Sequence, residues 1–154
     1  MAIMRTLEIR PTTVADLMDH GTDLFRQHWD EIALNKQVMV LNPDRARYEA
    51  LETAGSLIVL GAYENSVLVG YSVSFVTEHF HYSDLTIAQN DLLFLVASLR
   101  GTRLGLELIT ETEKAAQAKG ANMMLWHAKP NTPMANLMPR LSYGVQDIIF
   151  SKVL

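Results

Sequence analysis

"LRGTRLGLELITETEKAAQAKG" (residues 99–120) follows the apolar run "DLLFLVAS" (residues 91–98) and leads into a helical pattern. The run reads as a buried strand, being short, continuous and apolar. From residue 104 to 119 the spacing is helical. Leu104, Leu106, Leu108, Ile109 and Ala116 are available to a core, and Gly120 closes the helix. "ANMMLWHA" (residues 121–128) reads as a second buried strand. A strand, crossover helix and strand over residues 92–126 make a right-handed βαβ unit with a parallel pair.

The rest of the chain fits around that unit. "RTLEIRP" alternates and ends at Pro11, which predicts a strand over residues 6–10. Val14, Leu17, Met18, Leu24, Phe25, Trp29 and Ile32 recur at helical spacing, with Thr12 or Thr13 as N-cap and Gly21 as a divide. "NPDRARYEALETAG" predicts a second helix capped by Asn42, with Pro43 in its first position and Gly55 at its end. Residues 56–80 read as two strands turning at Glu64-Asn65-Ser66. "HYSDLTIAQN" is polar and reads as a loop. "NTPMANLMPRL" reads as a short helix and "YGVQDIIFSKVL" as a last strand. The order is β-α-α-β-β-β-α-β-α-β. The fold class is α/β: a mixed, mostly antiparallel central sheet with helices on both faces. Residues 1–154 read as a single domain, without linker, repeat or low-complexity segment.

Composition narrows the function. The 154 residues carry a formal net charge of -4 and no cysteine. Disulfides and cysteine-ligated zinc are thereby excluded, and the charge gives no footprint for nucleic acid. The opening "MAIMRTLEIRPT" lacks a signal-peptide pattern, and no apolar stretch is long enough to span a bilayer. The expectation is a soluble, cytoplasmic protein.

A loop that leaves a strand and opens a helix aims free backbone N–H groups, and the positive end of the helix dipole, at whatever lies above it. Gly101 and Gly105 let the backbone turn and come close to a ligand. Arg100 and Arg103 add donors suited to phosphate. The loop reads as a pyrophosphate cradle; the plain alternative is a strand–helix loop with solvated arginines. It is neither a Walker loop nor a G-x-G-x-x-G fingerprint.

Residues 91–120 resemble the acetyl-coenzyme A motif of the GNAT superfamily of acyltransferases, a strand, then Arg/Gln-x-x-Gly-x-Gly/Ala, then a helix. Arg100 matches the first position and Gly105 the last, while Arg103 stands where the middle glycine usually is. The element order agrees over nearly the whole chain. "HWDEIALN" and "EHFHYSD" are similar to segments of phage and bacterial members. The resemblance implies that the strand at residues 92–97 splays from the strand at residues 123–128 and that the pantetheine arm of coenzyme A lies in the gap. It implies that Leu95, Val96 and Ala97 bond to that arm. The pyrophosphate would then sit on Arg100, Gly101, Thr102, Arg103, Leu104 and Gly105, with Asn131 also touching the cofactor. It further implies that a backbone N–H near Val96 stabilises the oxyanion. The tyrosine that many relatives use as general acid falls on Met138, which donates no proton.

For a base the candidates are Glu31, Glu78, His79 and His81. His79 and His81 alternate across Phe80, so in a strand they share a face, and at its C-terminal end they would overlook the gap. The plain alternative is one exposed and one structural histidine. A metal site of His79, His81 and His127 has possible spacing but no accompanying zinc signature, so the expectation is no metal. Trp29, Glu78 and Tyr82 are candidates for acceptor contact; the plain readings are packing for Trp29 and a solvated charge for Glu31. Trp126 reads as core, as do the methionines at 123, 124, 134 and 138.

The sequence thus predicts an acyl-CoA-dependent N-acyltransferase, with acetyl-CoA as donor and a primary amine as acceptor. The acceptor is a small polyamine or aminoglycoside-like molecule, a peptide terminus or a lysine; a homodimer is compatible. No nucleic acid or membrane partner is expected. The rivals are a GNAT-like domain that holds acyl-CoA without turnover, and a phage-type modifier of a host protein or nucleobase.

Overall fold

The computed structural model describes residues 4–154. β1 (Leu7–Pro11) is followed by α1 (Val14–His20), α2 (Thr22–Ile32), α3 (Arg45–Thr53), β2 (Leu57–Glu64) and β3 (Val67–Glu78). Then come β4 (Thr86–Leu95), α4 (Arg103–Ala118), β5 (Met123–Leu125) and α5 (Pro133–Leu137). The five strands form one sheet in the order β1-β2-β3-β4-β5. The first three pairings are antiparallel and β4–β5 is parallel. This is the expected mixed, mostly antiparallel sheet.

Local chemistry explains most boundaries. The Thr13 hydroxyl accepts from the Asp16 N–H at 3.0 Å and starts α1. Gly21 ends it, donating to the Leu17 carbonyl at 2.7 Å. A Cβ there would lie 2.6 Å from that same oxygen, so only glycine lets α2 begin so close to α1. Asn65 and Ser66 both take positive φ, +48° and +67°, as a tight hairpin between β2 and β3 requires. The cap of α3 differs from expectation. Asp44 accepts from the Arg47 N–H at 3.1 Å, so Asn42 and Pro43 precede the helix.

Strand alternation sends side chains to two cores. Tyr71 and Val73 pack with Val14, Leu17 and Phe25 beneath α1 and α2. Ile58, Leu60, Val76 and Ala88 pack with Leu108 and Ala116 of α4 on the other face. Leu106 is not core. At 100° per residue it points away from the stripe of Leu104, Leu108 and Ala116, and it is exposed.

Three other expectations are corrected. The second half of "HYSDLTIAQN" is strand: β4 starts at Thr86 because residues 86–90 pair with β3 and residues 87–89 also pair with β5. β5 has three residues instead of eight, and Met123 is exposed. Residues 144–154 form no strand among the described residues, and Val145, Ile148, Ile149 and Phe150 are exposed. Their composition favours a strand, but a strand also needs a partner edge.

Candidate functional site

β4 and β5 run together only from Ile87–Met123 to Gln89–Leu125. Beyond that point the side chain of Asn90, itself buried, spans the two backbones. Its Nδ2 donates to the His127 carbonyl at 3.1 Å and its Oδ1 accepts from the His127 N–H. On the other side of β4 the register with β3 slips. Val73 faces Leu92 and Ser74 faces Asn90, leaving Asp91 in a bulge where it accepts from the Tyr48 hydroxyl. Residues 92–95 therefore have β3 on one side and, among the described residues, no strand on the other. The β4–β5 ladder thus ends where the splay is expected.

That free edge leads into the glycine loop. A single 3-10 turn (Ala97–Leu99) follows β4; Gly101 then turns at φ +80°, and the Thr102 hydroxyl caps α4, accepting from the Leu104 N–H at 3.3 Å. The first turn of α4 holds no acidic residue. A Cβ on Gly105 would meet only Leu95 Cδ2, at 3.8 Å, so packing does not demand a glycine there. The Arg103 side chain is 93% exposed, with Glu107 at 3.9 Å. An unpaired strand edge accepts an extended amide chain by strand-type bonds, and an acid-free helix N-terminus accepts an anion.

Arg100 does not extend toward that space. Its Nε donates to the Leu95 carbonyl and its Nη2 to Glu31 Oε2, each at 2.7 Å, with the guanidinium 5.4 Å from the centre of the Phe94 ring. Glu31 and Arg100, expected in separate roles, are thus brought together by α2. The Val96 N–H donates to the Val69 carbonyl at 2.9 Å, so the expected oxyanion donor is already engaged. Ala97 and Thr102 are exposed, and Asn131, at φ +62°, lies just before the Thr132 cap of α5.

Behind Arg100 lies His28. It is buried, its Nδ1 is 2.9 Å from the Tyr71 hydroxyl, and its ring stacks on Phe94 at 5.0 Å. Burial, helped by the Arg100 cation and opposed by Glu31, lowers its pKa to about 4, so it is neutral at physiological pH. His28 was not a site candidate from sequence. The available signal was its position on the stripe of Leu24 and Phe25, one helical turn on.

The histidine pair lies elsewhere. β3 ends at Glu78, so His79 and His81 occupy the following turn, where His79 Nδ1 accepts from the His81 and Tyr82 N–H groups at 3.1 and 3.2 Å. Glu78 faces Thr86, whereas Leu95 faces Gly70. Eight residues of ladder, about 26 Å at ~3.3 Å each, separate the two ends. Glu78, His79, His81 and Tyr82 are therefore at the opposite end of the sheet from the gap, because β3 and β4 run antiparallel. Among the described residues no group of three or more His, Asp or Glu is placed to hold a metal, and His79, His81 and His127 are not gathered.

Trp29 is half-buried; its indole N–H donates to the Met39 carbonyl at 2.7 Å, and Lys36 Nζ lies 4.6 Å from its ring centre. Met138 is buried in a 3-10 turn (Met138–Leu141). Tyr143 donates to Glu113, which also accepts from the Trp126 indole at 2.9 Å. Trp126 is thus half-buried and anchored through its nitrogen, not core. Partial burial and the Glu113 carboxylate push the Tyr143 phenol up to about 12. No helix is long and apolar enough to cross a membrane among the described residues.

A family model described as the acetyltransferase (GNAT) family matches residues 16–143. No curated protein matches the chain. Solved structures share the fold. An aminoglycoside acetyltransferase, meta-AAC0020, from an uncultured soil metagenomic sample, in complex with sisomicin, is 20% identical over 96% of each chain with a TM-score of 0.70. AAC(6')-Iy in complex with the bisubstrate analog CoA-S-monomethyl-acetylneamine is 18% identical over 97% of this chain and 99% of that one, with a TM-score of 0.67. Glucosamine-6-phosphate N-acetyltransferase from Arabidopsis thaliana is 12% identical over 96% and 98%, with a TM-score of 0.70.

Proposed function

The chain belongs to the acetyltransferase (GNAT) family, and on that premise we propose that it transfers acetyl from acetyl-CoA to a primary amine of a small or peptide acceptor by direct attack. One observation carries the assignment of the donor site. The free edge of β4 at residues 92–95 leads through Gly101 to an α4 N-terminus without acidic residues. The edge suits the amides of a pantetheine arm, and the loop amides at residues 101–105 suit a pyrophosphate. Leu95, Val96 and Ala97 line the arm, although the Leu95 carbonyl and the Val96 N–H already have partners; exposed Arg103, beside Glu107, is the cation on the first turn of α4, and Asn131 borders the site. Acetyl-CoA bound there supplies an activated acetyl group.

The protein's own part is holding and orienting. Asn90 ties β4 to the segment after β5 where the ladder ends, and Arg100 fixes the end of β4 to α2. The net charge of -4 favours a cationic acceptor, such as a polyamine or an aminoglycoside-like amine. The whole chain, residues 1–154, acts as one domain in this reading.

The experiment is release of free thiol from acetyl-CoA against a panel of amines, with a thermal shift by CoA measured in parallel. Acceptor-dependent release is expected, together with a CoA shift. A shift without release for any amine would favour the second reading, a domain that holds acyl-CoA without turnover. The burial of Met138 at the position of the usual tyrosine, with the Tyr143 phenol engaged by Glu113, is what supports that reading.

A further inference from the structure

Glu31 and Arg100 meet across 69 residues of sequence, where the free edge of β4 ends. Arg100 binds the Leu95 carbonyl through Nε and Glu31 through Nη2, so the carboxylate is one guanidinium away from the last backbone acceptor of β4. Only one carboxylate oxygen, Oε2, is engaged; Oε1 has no hydrogen-bond partner among the described residues, and the side chain is 40% exposed. The ring of Phe94 lies beside the guanidinium, and neutral His28 is stacked on that ring. Glu31 is therefore a carboxylate with a fixed direction and a free oxygen at the mouth of the gap.

We propose that Glu31 selects acceptors that carry a second, non-reacting ammonium group, and that it holds that group while the neutral amine of the same molecule is acetylated. This rests on the reading of the β4 edge as the donor site. The chemistry separates the two nitrogens. A carboxylate stabilises the protonated form of the amine it touches, so it would hinder an amine that must attack while neutral. It suits a cationic group on the same acceptor. In the free protein the Arg100–Glu31 pair is neutral overall.

The test compares putrescine with butylamine, which have the same carbon chain and differ by one amino group, in acetyl-CoA thiol release by the wild-type protein and by Glu31→Gln. The expected result is a kcat/KM at least tenfold higher for putrescine in the wild type. The difference should lie in KM and should collapse in Glu31→Gln while the CoA-induced thermal shift is kept. Equal kcat/KM for the two amines in the wild type would overturn the assignment alone, as would a preference that survives in Glu31→Gln. A wild-type protein that shows a CoA shift but no release with any amine would overturn acetyl transfer and this assignment together. One that shows no CoA shift would overturn the donor site as well. The wild-type comparison stands whatever the stability of the variant.

Discussion

Acidification should destabilise this protein through His28, by an amount that follows from its burial. An unfolded histidine titrates at about 6.5, whereas His28 in the folded protein titrates at about 4, chiefly because burial disfavours the imidazolium. Between those values the unfolded chain takes up a proton that the folded protein refuses. Stability is therefore fully present above pH 6.5 and falls as the pH drops toward 4. The gap of about 2.5 pH units corresponds to roughly 3 kcal/mol at 1.36 kcal/mol per unit. His28 is 7% exposed, so solvent screening reduces this little. For a chain of this length that is a melting shift on the order of 10 °C. The perturbation is His28→Gln, which keeps a partner for the Tyr71 hydroxyl and carries no titrating ring. Thermal melts of both proteins between pH 7 and pH 4 give the assay, and their difference removes the carboxylate titrations they share. The variant's melting temperature should fall less steeply with acid. A wild-type-minus-variant difference that stays constant over the interval would refute the reasoning, since His28 would then titrate alike in both states.

Gly105→Glu should leave the fold intact, because a Cβ there meets nothing closer than 3.8 Å and glutamate is the better helix former. It should abolish the CoA-dependent thermal shift by placing a carboxylate against the phosphates. His81→Ala should keep kcat within about twofold on any acceptor that is turned over, since His81 lies beyond Glu78, which is five residues of ladder, about 16 Å, from the near end of the gap at Leu92; a hundredfold loss would relocate the base. Glu113→Gln should bring the Tyr143 phenol from about 12 back toward 10, read by phenolate absorbance in the ultraviolet. The folded value lies above the ordinary one, so the wild type loses stability as pH rises through that interval, and the variant should lose less.

Residues whose structure is set by near neighbours were legible in the sequence. The Asn65-Ser66 turn, the Gly21 break and, Leu106 apart, the apolar stripe of α4 were each read from a few adjacent residues, and each is present. Thr86, Gln89 and Asn90 read as loop because they are polar; their strand is imposed by β3 and β5 on either side. The same holds in reverse for residues 144–154, whose strand-like composition found no ladder. The glycine loop was legible in its position and in the turn at Gly101. What its arginine touches was not, because Glu31 arrives from α2 by way of tertiary packing. The histidine pair was misplaced for a topological reason. Pattern reveals which face a residue occupies, but only the strand direction reveals which end.

Asn90 has a consequence for how such a protein can change over generations. A backbone ladder would hold β4 and the segment after β5 at a spacing of about 4.8 Å, the same in every descendant. Here one amide side chain sets that spacing, with hydrogen bonds to both backbone groups of His127. The aperture is therefore inherited through a single codon. Serine, with one hydroxyl on a shorter stem, cannot make both bonds, so that substitution would release the segment after β5 from β4 at this point. A point substitution at residue 90 therefore acts on the join between the two segments directly, where a backbone ladder would resist any one side-chain change.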